Sequence, residues 1–148
     1  MIQVKKILYP TDFSSYSNQA YFHALGLAET YGASLLVAHV KTATTAGDKA
    51  YWQEQLEQVR PVNQKIAVSH VLLQGDPATE IVRYAADAGI DVIVIGTHGR
   101  TGRARQEMGS VAEKVMREAP CSVLVVKLAR GVAGPGRHHA ASLSSNKV

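Results

Sequence analysis

The chain has 148 residues, of which 46% are hydrophobic and 19% charged, with a formal net charge of +4 and a single cysteine. One ordinary domain has this length, and this apolar content excludes a chain that is disordered throughout. No apolar run approaches the ~20 residues of a membrane-spanning helix, and one cysteine excludes an internal disulfide framework.

Five short apolar runs along the chain have the composition of buried β-strands. The first run follows an N-terminal stretch with neither the apolar core nor the cleavage site of a signal peptide, so we expect a cytoplasmic protein. Near-continuous Val, Ile and Leu content is typical of strands covered on both faces, as in a parallel sheet. The five predicted strands are Lys5–Tyr9, Leu35–Val40, Ala67–Leu73, Asp91–Ile95 and Ser122–Lys127.

Two segments of helical periodicity separate the first three strands. The first predicted helix ends at Gly32, because glycine readily takes the left-handed conformation of a helix C-terminus. Its predicted inner face comprises Ala20, Ala24, Leu27, Ala28 and Tyr31. The second predicted helix runs from about Asp48 until Pro61 stops it. Its predicted inner face comprises Trp52, Leu56 and Val59.

Two further helices are predicted from their end signals. The third has Asp76 as N-cap, Pro77 at its first position and Gly89 at its end. Its inner face comprises Ile81, Ala85 and Ala88. The fourth begins at Ser110, and Glu113 three residues later gives the spacing of a capping box. Its inner face comprises Val111, Val115 and Ala119.

This alternation of strands and helices predicts right-handed crossovers and a doubly wound parallel α/β sheet. In such sheets a ligand binds beyond the carboxyl ends of the strands, where the strand order reverses. The segments Pro10–Ser14, after the first strand, and Gly96–Ser110, after the fourth, are therefore the candidate site segments.

The segment Gly96–Ser110 has the character of a phosphate cradle. Its glycines let backbone N–H groups approach a phosphate, and the following helix start adds further N–H groups and a positive dipole end. Arg100 and two further arginines make the segment cationic. The alternative is that the glycines simply turn the chain. The P-loop signature and the Rossmann G-x-G-x-x-G after the first strand are both absent.

The spacing Gly96-x2-Gly99-x9-Gly109-Ser110 resembles the nucleotide motif of the ATP-binding branch of the universal stress protein family. Ile7–Ser14 is similar to that family's opening strand and turn, and the resemblance spans about residues 3–128. It implies a Rossmann-like, adenine nucleotide alpha hydrolase-like fold with strand order 3-2-1-4-5. It also implies that ATP or another adenine nucleotide is bound, with Mg or Mn held through the phosphates.

The resemblance also assigns site residues. It implies that Asp12 contacts the adenosine part and that Val40 packs on adenine. Without the resemblance, Asp12 could be a turn residue and Val40 a core residue. The backbone of the glycines and the Ser110 hydroxyl match the phosphate-binding positions. The full candidate site comprises Thr11, Asp12, Val40, Gly96, His98, Gly99, Arg100, Gly109 and Ser110.

The predicted function is a nucleotide-dependent stress-response or signalling module. One alternative is a weak ATPase or phosphoryl-transfer enzyme in which His98 acts as a base. Such chemistry usually needs fixed metal-binding carboxylates, and the glycine segment offers only Glu107, so we assign no catalytic or metal-ligating residue and expect at most slow hydrolysis. The other alternative is a nucleotide-free dimeric interaction module. The strand 122–127 would be a sheet edge, so we expect a homodimer through it.

The segment 129–148 is predicted to be a disordered basic tail after a domain of residues 1–128. It contains glycines and a proline but no apolar periodicity. It carries three basic residues and no acid, so residues 1–128 have a net charge of only +1. A nucleic-acid-binding domain normally has a basic face on its folded part, so nucleic acid is not an expected partner.

Overall fold

A computed structural model describes residues 2–14, 17–97 and 109–127. Within these residues, strands and helices alternate, and each predicted strand lies within one residue of its expected ends. The predicted tail, 129–148, lies outside the described residues. The elements are β1 Lys6–Pro10, α1 Asn18–Tyr31, β2 Ser34–Lys41, α2 Lys49–Glu57, β3 Val68–Gln74, α3 Pro77–Ala88, β4 Val92–Gly96, α4 Ser110–Glu118 and β5 Ser122–Val126.

The five strands form one parallel sheet in the order β3-β2-β1-β4-β5, which confirms the predicted doubly wound fold. The central strand β1 pairs with β2 on one side and with β4 on the other. The chain leaves β1 in one direction and later returns to place β4 on its other side. The carboxyl ends of β1 and β4 therefore form the topological switch point, where sheets of this class bind ligands.

The two faces of the sheet carry two separate apolar cores. On one face, Ile7 and Tyr9 of β1 lie in a cluster with Ala20, Ala24 and Ala28 of α1. On the other face, Leu8 and Ile93 lie in a cluster with buried residues of α3 and α4. Successive β1 residues thus point to opposite faces, as the two-residue period of a strand requires.

The predicted end signals of two helices are confirmed. Helix α1 ends at Gly32, whose φ of 64° lies in the left-handed region. Helix α3 begins at Asp76, whose carboxylate accepts a hydrogen bond from the Thr79 backbone N–H at 3.0 Å, and Gly89 ends it with a φ of 67°. These are local features, and local sequence is enough to fix them.

The predicted inner faces of α1 and α4 need correction. Tyr31 is 46% exposed because it is the last residue of α1, and the chain turns at Gly32 toward β2. In α4 the buried residues are Ala112 and Val115, whereas Val111 and Ala119 are only partly buried.

The predicted end of α2 is wrong. The helix stops at Glu57 rather than at Pro61. The Val59 backbone N–H closes a tighter turn onto the Leu56 carbonyl at 2.9 Å, and the Val59 carbonyl accepts a hydrogen bond from His70 Nε2 at 2.8 Å. The chain just beyond α2 is therefore tied to strand β3 through Val59.

The predicted capping box of α4 is also wrong. Gly109 is the N-cap, in an extended conformation, and its carbonyl accepts a hydrogen bond from the Glu113 backbone N–H at 3.0 Å. Ser110 is already the first helical residue, so its hydroxyl lies past the position from which a cap acts, and no side chain caps this helix. Among the described residues, no helix combines the length and the apolar character that a membrane span requires.

Candidate functional site

A cavity of about 810 Å³ lies beyond the carboxyl ends of β1, β2 and β4. The strand ends form its floor, the start of α4 and part of α3 form one wall, and the β2–α2 loop and α2 form another. The residues from the strand ends are Pro10, Thr11, Asp12, His39, Val40, Ile95, Gly96 and Thr97. The cavity therefore lies at the switch point of the sheet.

Six of the nine candidate residues border this one cavity. The remaining three, His98, Gly99 and Arg100, lie outside the described residues. The six come from four places in the chain, the turn after β1, the ends of β2 and β4, and the start of α4, and their roles as ligand contacts stay predictions. They are Thr11, Asp12, Val40, Gly96, Gly109 and Ser110.

The turn after β1 is held by its own side chains. Asp12 Oδ1 accepts a hydrogen bond from the Ser14 backbone N–H at 2.9 Å, and Thr11 Oγ1 accepts one from the Phe13 backbone N–H at 2.9 Å. Phe13 has a φ of 63°, in the region that side chains rarely adopt. Asp12 is therefore both a turn residue and a residue that borders the cavity.

A buried hydroxyl network joins this turn to the start of α1. The Tyr9 hydroxyl donates to the Ser17 carbonyl at 3.0 Å, and the hydroxyls of Thr11 and Ser17 are 3.1 Å apart. Burial raises the pKa of Tyr9, and burial beside Tyr9 raises the pKa of Tyr21 to about 12. Both phenols therefore stay neutral near pH 7, and the network acts through hydrogen bonds rather than through charge.

The start of α4 forms the polar wall of the cavity. The Gly109 backbone N–H donates to the carbonyl of Thr97, which follows β4, so the helix start is fixed to the sheet edge. Lys114 Nζ donates to Thr79 Oγ1 of α3 at 3.1 Å, which ties the two helices together. The first N–H groups of a helix lack intrahelical acceptors and lie at the positive dipole end, so this wall suits an anion.

An aromatic cluster forms the opposite wall. The Trp52 ring of α2 stacks on Phe13, with centroids 5.5 Å apart, and lies 4.8 Å from the ring of His39 in β2. His39 Nδ1 donates to the Thr11 carbonyl at 2.8 Å, and Trp52 Nε1 donates to the Ala46 carbonyl at 2.7 Å. This cluster therefore fixes both the Asp12 turn and the β2–α2 loop.

Sequence reasoning missed the aromatic cluster as a part of the site. It predicted Trp52 on the inner face of α2 and assigned no role to His39; both are buried, but they also border the cavity. Phe13, His39 and Trp52 come from three different elements and share no spacing. No signal in a single sequence brings such residues together.

No metal centre is found in the described part of the chain, where no three His, Cys, Asp or Glu residues lie together in a group that could hold an ion. The single thiol, Cys121, is partly buried, and burial raises its pKa. A raised pKa leaves less thiolate at neutral pH, which fits a packing role.

The profile of the Universal stress protein family matches residues 3–127. The chain belongs to this family. Universal stress protein MJ0531 of Methanocaldococcus jannaschii is 36% identical over 139 residues, which cover 83% of this chain and 82% of that protein.

Solved structures show the same fold. The universal stress protein UspA from Lactobacillus plantarum matches with a TM-score of 0.72 at 23% identity, over 86% of this chain and all of that chain. The universal stress protein from Archaeoglobus fulgidus in complex with dAMP matches with a TM-score of 0.65 at 23% identity, again over 86% of this chain and all of the other. Both likenesses confirm the predicted α/β architecture.

Proposed function

We propose that this universal stress protein binds ATP or another adenine nucleotide in the 810 Å³ cavity and acts as a nucleotide-dependent stress-response or signalling module in the cytoplasm. The observation that carries the proposal is the meeting of three features around one cavity at the switch point. These are a carboxylate on a fixed turn, an apolar patch beside it, and the start of a helix across from it. They suit the ribose, the base and the phosphates of a nucleotide, respectively.

The adenosine part would lie between Asp12 and Val40. A carboxylate has about four lone-pair sites, and the hydrogen bond from the Ser14 N–H uses one of them, so Asp12 can still accept hydrogen bonds from ribose hydroxyls. Val40 is buried at the end of β2 and borders the cavity, where it offers apolar surface to a base. This arrangement supports the roles that the family resemblance implies for the two residues.

The phosphates would lie at the start of α4. Gly96 and Gly109 border the cavity, and because they have no Cβ, a phosphate can approach the backbone there. The N–H groups of the first turn of α4 would donate to phosphate oxygens. Mg²⁺ or Mn²⁺, when present, would be held mainly through the phosphates. His98, on which the weak ATPase alternative depends, lies outside the described residues, so that alternative gains no support.

The fold itself can hold an adenine nucleotide, since the Archaeoglobus fulgidus protein of this fold was solved in complex with dAMP. That observation supports an adenine nucleotide as the ligand class. The choice of ATP rests on the helix start and the glycine spacing, which suit a chain of phosphates better than a single one.

We further propose a homodimer through β5. Among the described strands, β5 pairs with β4 alone, so its other edge offers unpaired backbone groups. Leu124, in the middle of β5, is 37% exposed. A second copy of the strand would cover both the edge and this side chain.

The nucleotide proposal is tested by denaturing freshly purified protein, identifying any released nucleotide chromatographically, and titrating emptied protein with ATP in a calorimeter. Gly109→Val places a branched side chain where the phosphates would lie, although the φ of −64° at Gly109 tolerates it. We expect the parent to bind ATP and the variant to lose at least tenfold in affinity. Gly26→Val is the matched control, because a Cβ at Gly26 meets nothing within 4 Å.

The outcomes are separable because folding is measured alongside by circular dichroism. A parent that neither releases nor binds an adenine nucleotide contradicts the proposal and favours the nucleotide-free interaction module. A folded Gly109→Val variant that binds ATP as the parent does would place the phosphates elsewhere in the cavity.

A further inference from the structure

Tyr51, on the first turn of α2, is an exposed aromatic side chain at the mouth of the cavity. It is 48% exposed and borders the cavity together with Val40 from the sheet. Sequence reasoning placed no role on it. An apolar ring left half in water at the edge of a pocket gains by contact with a ligand.

One backbone contact and one ring contact hold Tyr51 in place before any ligand arrives. The Tyr51 backbone N–H donates to Asp48 Oδ1 at 2.9 Å, which is the N-cap bond of α2. Its ring packs edge to face on Trp52, with centroids 4.9 Å apart and an interplanar angle of 83°. Trp52 in turn is buried against Phe13 and His39. The ring therefore rests on a rigid base.

Gly47 shows how closely the β2–α2 loop packs against the rings of Tyr51 and Trp52. Its φ of 92° favours glycine, and a Cβ there would lie 3.1 Å from Tyr51 Cδ2 and 3.1 Å from Trp52 Nε1. The loop before α2 thus passes directly against both rings. Tyr51 is thus packed against the protein, yet it remains half exposed and borders the cavity.

We propose that Tyr51 is a base-contacting residue, which makes the pocket favour nucleotides with an intact aromatic base over base-free polyphosphates. The inference rests on the proposed nucleotide function and adds to it a selection for the base. Val40 would cover the base from the sheet, and the Tyr51 ring would cover it from α2. Base–aromatic contacts tolerate different bases, so the residue selects for a planar ring rather than for one base alone.

The test measures ATP affinity by calorimetry for the parent, Tyr51→Ala and Tyr51→Phe. Removing the ring should weaken ATP binding by roughly 5- to 150-fold, the range for loss of one base–aromatic contact. Tyr51→Phe keeps the ring and should stay within about twofold of the parent. Tyr31→Ala is the matched control, because Tyr31 is similarly exposed at 46% but does not border the cavity, and it should bind like the parent.

Two further readouts separate base contact from general damage to the pocket. Inorganic tripolyphosphate carries the charge without a base, so its inhibition constant, corrected for how tightly each protein binds the fluorescent ATP analogue that it displaces, should be the same in the parent and in Tyr51→Ala. Trp52 is the single tryptophan and touches Tyr51, so its emission should change on adding ATP and not on adding tripolyphosphate.

Three results would overturn the inference while leaving the nucleotide function intact. These are unchanged ATP binding by Tyr51→Ala, equal losses of ATP affinity for Tyr51→Phe and Tyr51→Ala, and a loss of tripolyphosphate affinity in Tyr51→Ala equal to its loss of ATP affinity. A parent that binds no ATP would overturn the proposed function itself, and the base contact with it.

Discussion

Phe13 carries the clearest backbone strain in the described part of the chain. It is the one non-glycine residue there with a positive φ, at 63°. Such a conformation in a bulky residue costs on the order of 1 kcal/mol or more and persists only where packing demands it. Packing explains the conformation here, because the centroid of the Phe13 ring lies 4.7 Å from that of His39 and 5.5 Å from that of Trp52. The strain therefore serves to join the Asp12 turn to the aromatic wall.

At Phe13, the glycine variant should be more stable than the alanine variant, which reverses the usual order of stability. Both Phe13→Ala and Phe13→Gly lose the ring contacts, but alanine keeps the strained φ, whereas glycine adopts it freely. We expect Phe13→Gly to be more stable than Phe13→Ala by about 1 kcal/mol in urea denaturation. At Gly26, which lies inside α1, alanine should instead be more stable than glycine by about 0.5–1 kcal/mol. The same order at both sites would contradict a strained Phe13.

Some residues of the site could be predicted from local sequence patterns, and others could not. The order of strands and helices predicts the two segments that contain Asp12 and Gly109, the family resemblance singles out these residues within them, and both border the cavity. The aromatic wall could not be predicted, because its members meet through the packing of β1, β2 and α2. The pairing of Tyr51 with Gly47 depends on the path of a loop, and a loop path has no period.

At the scale of elements, the sequence predicts strands well and helix ends unevenly. Buried parallel strands are continuous apolar runs, so their limits are marked on both sides. Helix α3 has a cap and a stop residue, and its limits were correct. Helix α2 ends at Glu57, and just beyond it the Val59 carbonyl accepts a hydrogen bond from His70 of β3, a tertiary contact that local sequence does not show. The N-cap of α4 is Gly109 rather than the expected Ser110, and the Gly109 N–H is hydrogen-bonded to the Thr97 carbonyl, a contact outside the helix.

Asp91 ties two neighbouring strands together at their starts. Its Oδ2 accepts hydrogen bonds from the backbone N–H groups of Lys5 at 2.8 Å and Lys6 at 2.9 Å, next to the pairing of β1 with β4. These two bonds hold the pKa of the Asp91 carboxyl below its ordinary 3.8. Because the folded pKa lies below the unfolded one, the carboxylate stabilises the fold above about pH 4, and this contribution is lost as pH falls through the folded pKa.

Removal of this carboxylate should therefore give a pH-dependent loss of stability. We expect Asp91→Ala to lower the free energy of unfolding at pH 7 by about 0.5–1 kcal/mol, below the usual range for charged hydrogen bonds because the side chain is only partly buried. The difference from the parent should shrink below pH 4, as measured by urea denaturation in a pH series. Asp91→Asn keeps an acceptor without the charge and should lie between the two. A difference that stays constant down to pH 2 would contradict the assignment.

At the scale of the whole molecule, the cavity lies where the two cores meet. One wall comes from α2, which belongs to the core of α1, and the other from α3 and α4 across the sheet. A ligand that touches Tyr51 and the start of α4 would therefore join helices from opposite faces. Such a ligand would stabilise the fold as a unit, by an amount that grows with its concentration above Kd.

Helix α4 also leads directly into β5, so the proposed dimer strand follows the proposed phosphate site in the chain. One helix therefore connects the two proposed sites. We expect the homodimer to depend on the exposed edge of β5, and a charge placed on it should be costly to bury between two copies.

Leu124→Glu should weaken dimerisation by at least tenfold, because it adds a carboxylate to the exposed middle of β5 and sets like charges close together in a symmetric interface. Sedimentation equilibrium across a concentration series measures the change. Val62→Glu adds the same charge at an exposed apolar residue before β3 and should leave the dimer unchanged, because β3 lies at the opposite edge of the sheet from β5. A monomeric parent at all concentrations, or a Leu124→Glu variant as dimeric as the parent, would show that β5 is not the interface.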